Sequence, residues 1–167
     1  RAAMQRKEGP TMLVLTRQKL PILDRGNLGG AEGLLKGAYT LAKEKADRPD
    51  VILIASGSEV QLVLEARDRL AQEGIDARVV SMPSWELFAD QPQSYRRQVL
   101  PSEVKARLAV EAGAKLGWCD WVGDAGDVIG VTKFGASAPY KENFKHYGFT
   151  VDNVVERAKK LFDQEKR

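Results

Sequence analysis

Histidine and cysteine are nearly missing from this chain: His146 and Cys119 are its single copies in 167 residues. One cysteine cannot form an intramolecular disulfide, so a reducing, cytoplasmic setting is the expectation. One histidine and one cysteine also fall short of the three or four such ligands that a zinc site takes. An excess of either charge is missing too. The 26 Lys and Arg stand against 23 Asp and Glu, a formal net charge of +3. The two signs are interspersed, as in Arg67-Asp68-Arg69. The surface therefore reads as mixed and solvated, which argues against nucleic acid as a partner. No apolar run approaches the ~18–20 residues that span a bilayer, so no membrane partner is expected. The opening RAAMQRKEGP lacks the apolar stretch of a signal peptide. It starts without Met on what reads as the end of a helix, and we expect the chain to be a piece of a longer one.

What is present is the material of an α/β domain. Five apolar runs read as buried strands: Met12–Leu15, Val51–Ala55, Arg78–Met82, Ala106–Val110 and Val128–Val131. Helical patterns separate most of them. This alternation implies a three-layer α/β domain with a mostly parallel five-stranded sheet covered on both faces. KGAYTLAK reads as an additional edge strand, open to antiparallel pairing. Ser58 and Gln61 have the spacing of a capping box, with Gly74 as the stop of that helix. Thr150 reads as the cap of the last helix, with Phe149 and Val154 as a hydrophobic staple. Val151, Val154, Val155, Ala158, Leu161 and Phe162 form its apolar stripe. Between Leu15 and Val51 periodicity fails and glycines accumulate. Residues 1–20 then read as the end of a preceding domain, 21–36 as a linker and 37–167 as the autonomous domain.

Several stretches are candidate sites, each with a plainer reading. In VILIASGSEV a strand runs through Ser56-Gly57-Ser58 into a helix, the place where open α/β sheets bind phosphate. The motif lacks G-x-G-x-x-G and the P-loop lysine, so a tight turn is the plainer reading. His146 stands among charged and aromatic residues and reads as a surface side chain. Cys119, between two tryptophans, reads as a packed thiol. Asp120, Asp124 and Asp127 occupy a Gly-rich stretch where turns use Asp anyway. FGASAP, Phe134 to Pro139, reads as a rigid connection with Ser137 as a helix cap. Arg17, one step beyond LVLT, is either a solvated strand end or a planar grip on an anion. None of these is a self-sufficient active site.

Taken in order, GPTMLVLTRQKLP, ILIASGSEVQL, ARVVSMPSWELFADQ with YRRQVLP, VEAG, FGASAP and GFTVDNVVERAKKL resemble the C-terminal part of transketolases. The resemblance covers essentially the whole chain in register. It implies a homodimeric parent enzyme that uses thiamine diphosphate and Mg²⁺ or Ca²⁺. That enzyme moves a two-carbon ketol unit from a ketose phosphate to an aldose phosphate, in the pentose phosphate pathway and the Calvin cycle. The cofactor supplies the carbanion chemistry. The resemblance assigns cofactor, metal and catalytic residues to upstream domains and none to this stretch. It gives one site residue here, Arg17, as a contact to the sugar phosphate. The expectation is an inactive fragment with a structural, dimer-supporting or regulatory role. Two alternatives stay open. One is another thiamine-diphosphate enzyme, such as deoxyxylulose-phosphate synthase or a 2-oxoacid dehydrogenase β subunit, against which SMPSWELF and FGASAP argue. The other is a free-standing module that holds an anion or nucleotide at SGSEV.

Overall fold

The computed structural model describes residues 1–166. In chain order it contains α1 (Ala2–Gln5), a 3-10 turn (Ala31–Lys36), β1 (Tyr39–Ala42), β2 (Val51–Ala55), α2 (Glu59–Gln72) and β3 (Ala77–Ser81). There follow α3 (Trp85–Ala89), α4 (Gln93–Val99), β4 (Arg107–Ala114), α5 (Cys119–Val122), β5 (Asp127–Val131), α6 (Tyr140–His146) and α7 (Val151–Glu165). The strands form one sheet in the order β1-β3-β2-β4-β5. All neighbours run parallel except β1, which pairs antiparallel with β3.

The central strand explains why its sequence is a continuous apolar run. Val51, Leu53 and Ala55 pack with Val63, Ala66 and Leu70 of α2 and Val154, Ala158 and Leu161 of α7. Ile52 and Ile54 face the other way, onto Phe88, Val99, Trp118 and Val122 from the α3–α5 side. A strand covered on both faces cannot alternate with polar residues. The two ends of the helical layer form as expected. Gly74 takes φ +78°, and Ile75 N–H reaches the Leu70 carbonyl at 3.0 Å, closing α2 in a Schellman turn. Thr150 accepts from Asn153 N–H at 3.3 Å, and Phe149 and Val154 share one core.

Three expectations are corrected. Met12–Leu15 forms no strand and pairs with neither edge of this sheet, and its four side chains are 70–86% exposed. The fifth strand is instead Tyr39–Ala42, within KGAYTLAK. Ser58 does not cap α2: its backbone is already helical, and its hydroxyl donates to the Glu59 carboxylate rather than accepting an N–H. Ser137 does not cap α6, whose extended Pro139 precedes the first turn without a side-chain bond. The glycine-rich stretch 21–36 lies against the domain. Leu23 and Leu28 pack on the core, and Gly29 N–H bonds the Leu41 carbonyl at 2.7 Å. A Cβ on Gly33 would meet the Tyr39 ring at 2.3 Å, so the absence of a side chain permits this docking.

A buried ion pair ties the antiparallel edge down. Arg78 of β3 donates through Nε and Nη2 to both oxygens of Glu44, just beyond β1, and through Nη1 to the carbonyls of Gln98 and Val99. Both residues are buried. Burial pushes the Glu44 carboxyl up, but the bonds and charge of Arg78 outweigh it, and the group ends below its ordinary value of 4.5. Removing one partner strands a buried charge, at about 3–5 kcal/mol. Glu44→Ala should therefore lower the unfolding free energy by that amount at pH 7, seen as a lower urea midpoint with an unchanged denaturant slope. A shift below about 1 kcal/mol would mean that water reaches Arg78 freely.

Candidate functional site

In this strand order the crossover direction reverses between β2 and β4, and open α/β sheets bind ligands outside the carboxyl ends of such strands. The sheet places a crevice of about 330 Å³ there, lined by Ser56, Ser84, Trp85, Glu86, Glu111 and Trp118 among others. Trp85 and Trp118 meet edge to face with ring centroids 5.0 Å apart, and Trp118 is buried. Ser56, just past β2, donates to Glu111 of β4 at 2.9 Å. Glu59 opens α2 behind them, 3% exposed, and accepts from Ala112 N–H at 3.1 Å and from Ser58.

Burial pushes both Glu59 and Glu111 above 4.5, and the charge of Glu111 adds to the rise at Glu59. Glu86 is held low by its own backbone N–H and by the Ser84 hydroxyl. The crevice is thus acidic and aromatic. It offers acceptors to hydroxyl groups or a cation and no cradle for an anion.

This settles how the Ser56-Gly57-Ser58 turn is used. Gly57 takes φ +50°. The N–H groups of Glu59 and Val60 already bond the carbonyls of Ser56 and Gly57, and the Glu59 carboxylate stands at the positive end of α2. Leu20, Pro21 and Leu23 run alongside, leaving a gap of only about 50 Å³. The turn reading holds.

The other candidates do not converge on this crevice. Arg17 is exposed at a bend outside the sheet, and among the described residues no carboxylate lies within 4 Å of it. His146 is exposed beside Tyr147. Cys119 is exposed, which corrects the packed-thiol reading: α5 turns Trp118 and Val122 inward and leaves positions 119 and 120 outside. Asp127 accepts through both oxygens from Nε and Nη2 of Arg157, and Asp120 and Asp124 are exposed. FGASAP lies on the surface, held where Tyr147 bonds the Phe134 carbonyl and Asn143 bonds that of Ala136. The Glu59–Glu111 pair was not singled out from sequence. Its only signal was a carboxylate directly after the turn and another at the end of an apolar run.

An open α/β sheet with one antiparallel edge and a switch point lined by its own carboxylates defines the class of domain. The comparisons with known proteins identify which one. Residues 37–150 match the family model described as the transketolase-like TK C-terminal domain, and the chain belongs to the transketolase family as that C-terminal domain. It is 49% identical over 162 residues to the transketolase of Bacillus subtilis, covering 97% of this chain and 24% of that protein. It is 50% identical over 161 residues to that of Geobacillus stearothermophilus, again covering 24% of it. Among solved structures, a transketolase from Pichia stipitis in complex with sedoheptulose 7-phosphate superposes with a TM-score of 0.79 at 38% identity. That match covers 90% of this chain and 21% of the other. The chain thus spans about a quarter of the length of these relatives.

The raised carboxyls make a testable pH dependence. A group whose folded value lies above its unfolded one stabilises fully below 4.5, and that contribution is lost as pH rises through the folded value. Glu44 and Glu86 act oppositely, below 4.5. The melting temperature should therefore fall from pH 4.5 upward, and Glu111→Gln should flatten that fall and melt higher at pH 7. Superimposable profiles for the two proteins would show that Glu111 is not held away from water.

Proposed function

We propose that this chain is the closing piece of a thiamine-diphosphate-dependent ketol transferase that moves a two-carbon unit between sugar phosphates, as a cytoplasmic homodimer. The observation that carries this is the identity of nearly one residue in two, over 97% of the chain, to about a quarter of a transketolase. A structural neighbour solved with sedoheptulose 7-phosphate supports the substrate class. Residues 37–167 form the C-terminal domain and residues 21–36 its docked linker. Residues 1–20 are the end of a pyrimidine-binding domain. The family model's start at residue 37 supports that division, as do the unpartnered side chains of Met12–Leu15.

The residues described here do not fit the cofactor or its Mg²⁺ or Ca²⁺. Among the described residues no three His, Cys, Asp or Glu side chains are grouped to hold a metal. The carboxylates at the switch point would repel a diphosphate. No step of the reaction is assigned to this chain beyond holding substrate. That role falls to Arg17, whose charge-assisted grip on a phosphate would contribute roughly 1.5–3 kcal/mol.

Two measurements test the reading. The 167-residue chain, mixed with thiamine diphosphate, Mg²⁺, xylulose 5-phosphate and ribose 5-phosphate, should give no turnover; measurable product would refute its dependence on upstream domains. In the full-length protein, Arg17→Ala should raise KM for phosphorylated substrates on the order of 10–150-fold while sparing hydroxypyruvate, which carries no phosphate. Equal losses on both donors would make Arg17 structural.

A further inference from the structure

At the opposite end of the strands from the acidic crevice lies a second groove, of about 340 Å³. Arg96 and Arg97 of α4, Lys105 of the connection to β4, Arg107 at the start of β4, and Asp120 and Trp121 of α5 line it. Arg107 and Glu111 are four residues apart on one strand, so the two sites are separated by about 13 Å along the sheet. Four cations face this groove against one carboxylate. Among the described residues none of the four has a carboxylate within 4 Å, although seven other ion pairs form in the same protein.

The positive wall is fixed in place. Arg107 donates to the carbonyls of Val104 at 2.9 Å, Trp121 at 3.0 Å and Pro101 at 2.8 Å. These acceptors orient the guanidinium without neutralising it. Burial of the group lowers its pKa and outweighs the charges of Glu103 and Glu165, which raise it from beyond contact distance.

The second observation concerns donors. Arg96 Nε and Trp121 Nε1 are buried atoms with no hydrogen-bond partner, and both belong to residues lining this groove. A buried donor left unpaired costs about 1–3 kcal/mol, and more when charged. Native proteins hold few such groups, and a bound ion is one of the ways in which they are accounted for. A compact anion with several acceptor oxygens, entering beside these two side chains, would supply the acceptors that the groove's own residues do not. Guanidinium groups suit the planar, multidentate geometry of phosphate better than that of a halide.

We propose that the Arg96–Arg97–Lys105–Arg107 groove binds a dianionic phosphate group, free or as the monoester of a small molecule, through the side chains of α4 and the indole of Trp121. Every charged side chain of this site, and Trp121, lies between positions 96 and 121, and the site is independent of Arg17.

The test is a titration of this chain, labelled with ¹⁵N, at constant ionic strength balanced with NaCl. The probes are inorganic phosphate and glycerol 3-phosphate. The Trp121 indole N–H signal, assigned by its loss in Trp121→Phe, should shift saturably. Arg96→Gln should weaken the binding at least tenfold, and Arg17→Gln should leave it unchanged. Lys105→Gln changes an exposed side chain and makes the same test with no risk to the fold; it should weaken binding severalfold. Tighter binding of the ester would assign a phosphorylated metabolite, and tighter binding of phosphate the free anion. Shifts reproduced by NaCl alone, or indifferent to Arg96→Gln and Lys105→Gln, would overturn the proposal.

Discussion

Two guanidinium groups on one face of the sheet hold the α4 side of the molecule together. Arg78 of β3 and Arg107 of β4 both stand in register with Ile52 of β2, one on either side. Strands paired in register present such residues to the same face, which here is the face of Ile52 and the α3–α5 layer. Between them the two arginines bond the carbonyls of Gln98, Val99, Leu100, Pro101 and Val104. The chain leaving α4 is thus held along its backbone by side chains of the sheet. A helix end leaves carbonyls unpaired, and a cation there meets both the missing bonds and the helix dipole. Because Arg78 also grips Glu44, the same clamp fixes the antiparallel edge strand.

That clamp was written in the sequence but not readable as one. Ala-Arg-Val-Val at 77–80 and Ala-Arg-Leu-Ala-Val at 106–110 put a cation inside each of two apolar runs. Pattern alone treats these as strand-end charges in a mixed surface. Their acceptors lie about twenty residues away for Arg78 and in a loop with no periodicity for Arg107, so no local rule links donor to acceptor. The strands themselves were legible for the complementary reason. Burial on both faces makes Val51–Ala55 a run of five apolar residues whatever the rest of the chain does.

The misplaced features have physical causes of the same kind. Ser58 has a cap's spacing, but the left-handed Gly57 lets the chain enter the helix one residue early, and the hydroxyl turns to Glu59. Cys119 has tryptophan neighbours in sequence, yet a single helical turn sends alternate neighbours to opposite sides. Glycines at 29, 33 and 37 resemble those of a flexible tether. They are there because Cβ atoms would strike Thr40, Tyr39 and the backbone of Phe88. Glycine content alone cannot separate freedom from close approach. The acidic crevice needs residues from β2, α2 and β4 brought together, and only the topology does that.

The resulting charge layout decides what each end of the sheet can bind. At the carboxyl ends of the strands, the positive dipole end of α2 faces its own Glu59, and Glu111 and Glu86 stand nearby. An anion arriving there would meet carboxylates where backbone N–H groups usually wait. At the amino end of β4 the arrangement is reversed. Arg96 and Arg97 sit in the last turn of α4, where the dipole favours cations, but their charge exceeds what a half-unit dipole can balance. Arg107 and Lys105 add to it, with Asp120 as the lone opposing lining charge. Cations gathered on one groove repel one another, which favours any anion that can enter between them. The fold thus neutralises the place where α/β sheets ordinarily hold phosphate and leaves its unbalanced positive charge at the other end.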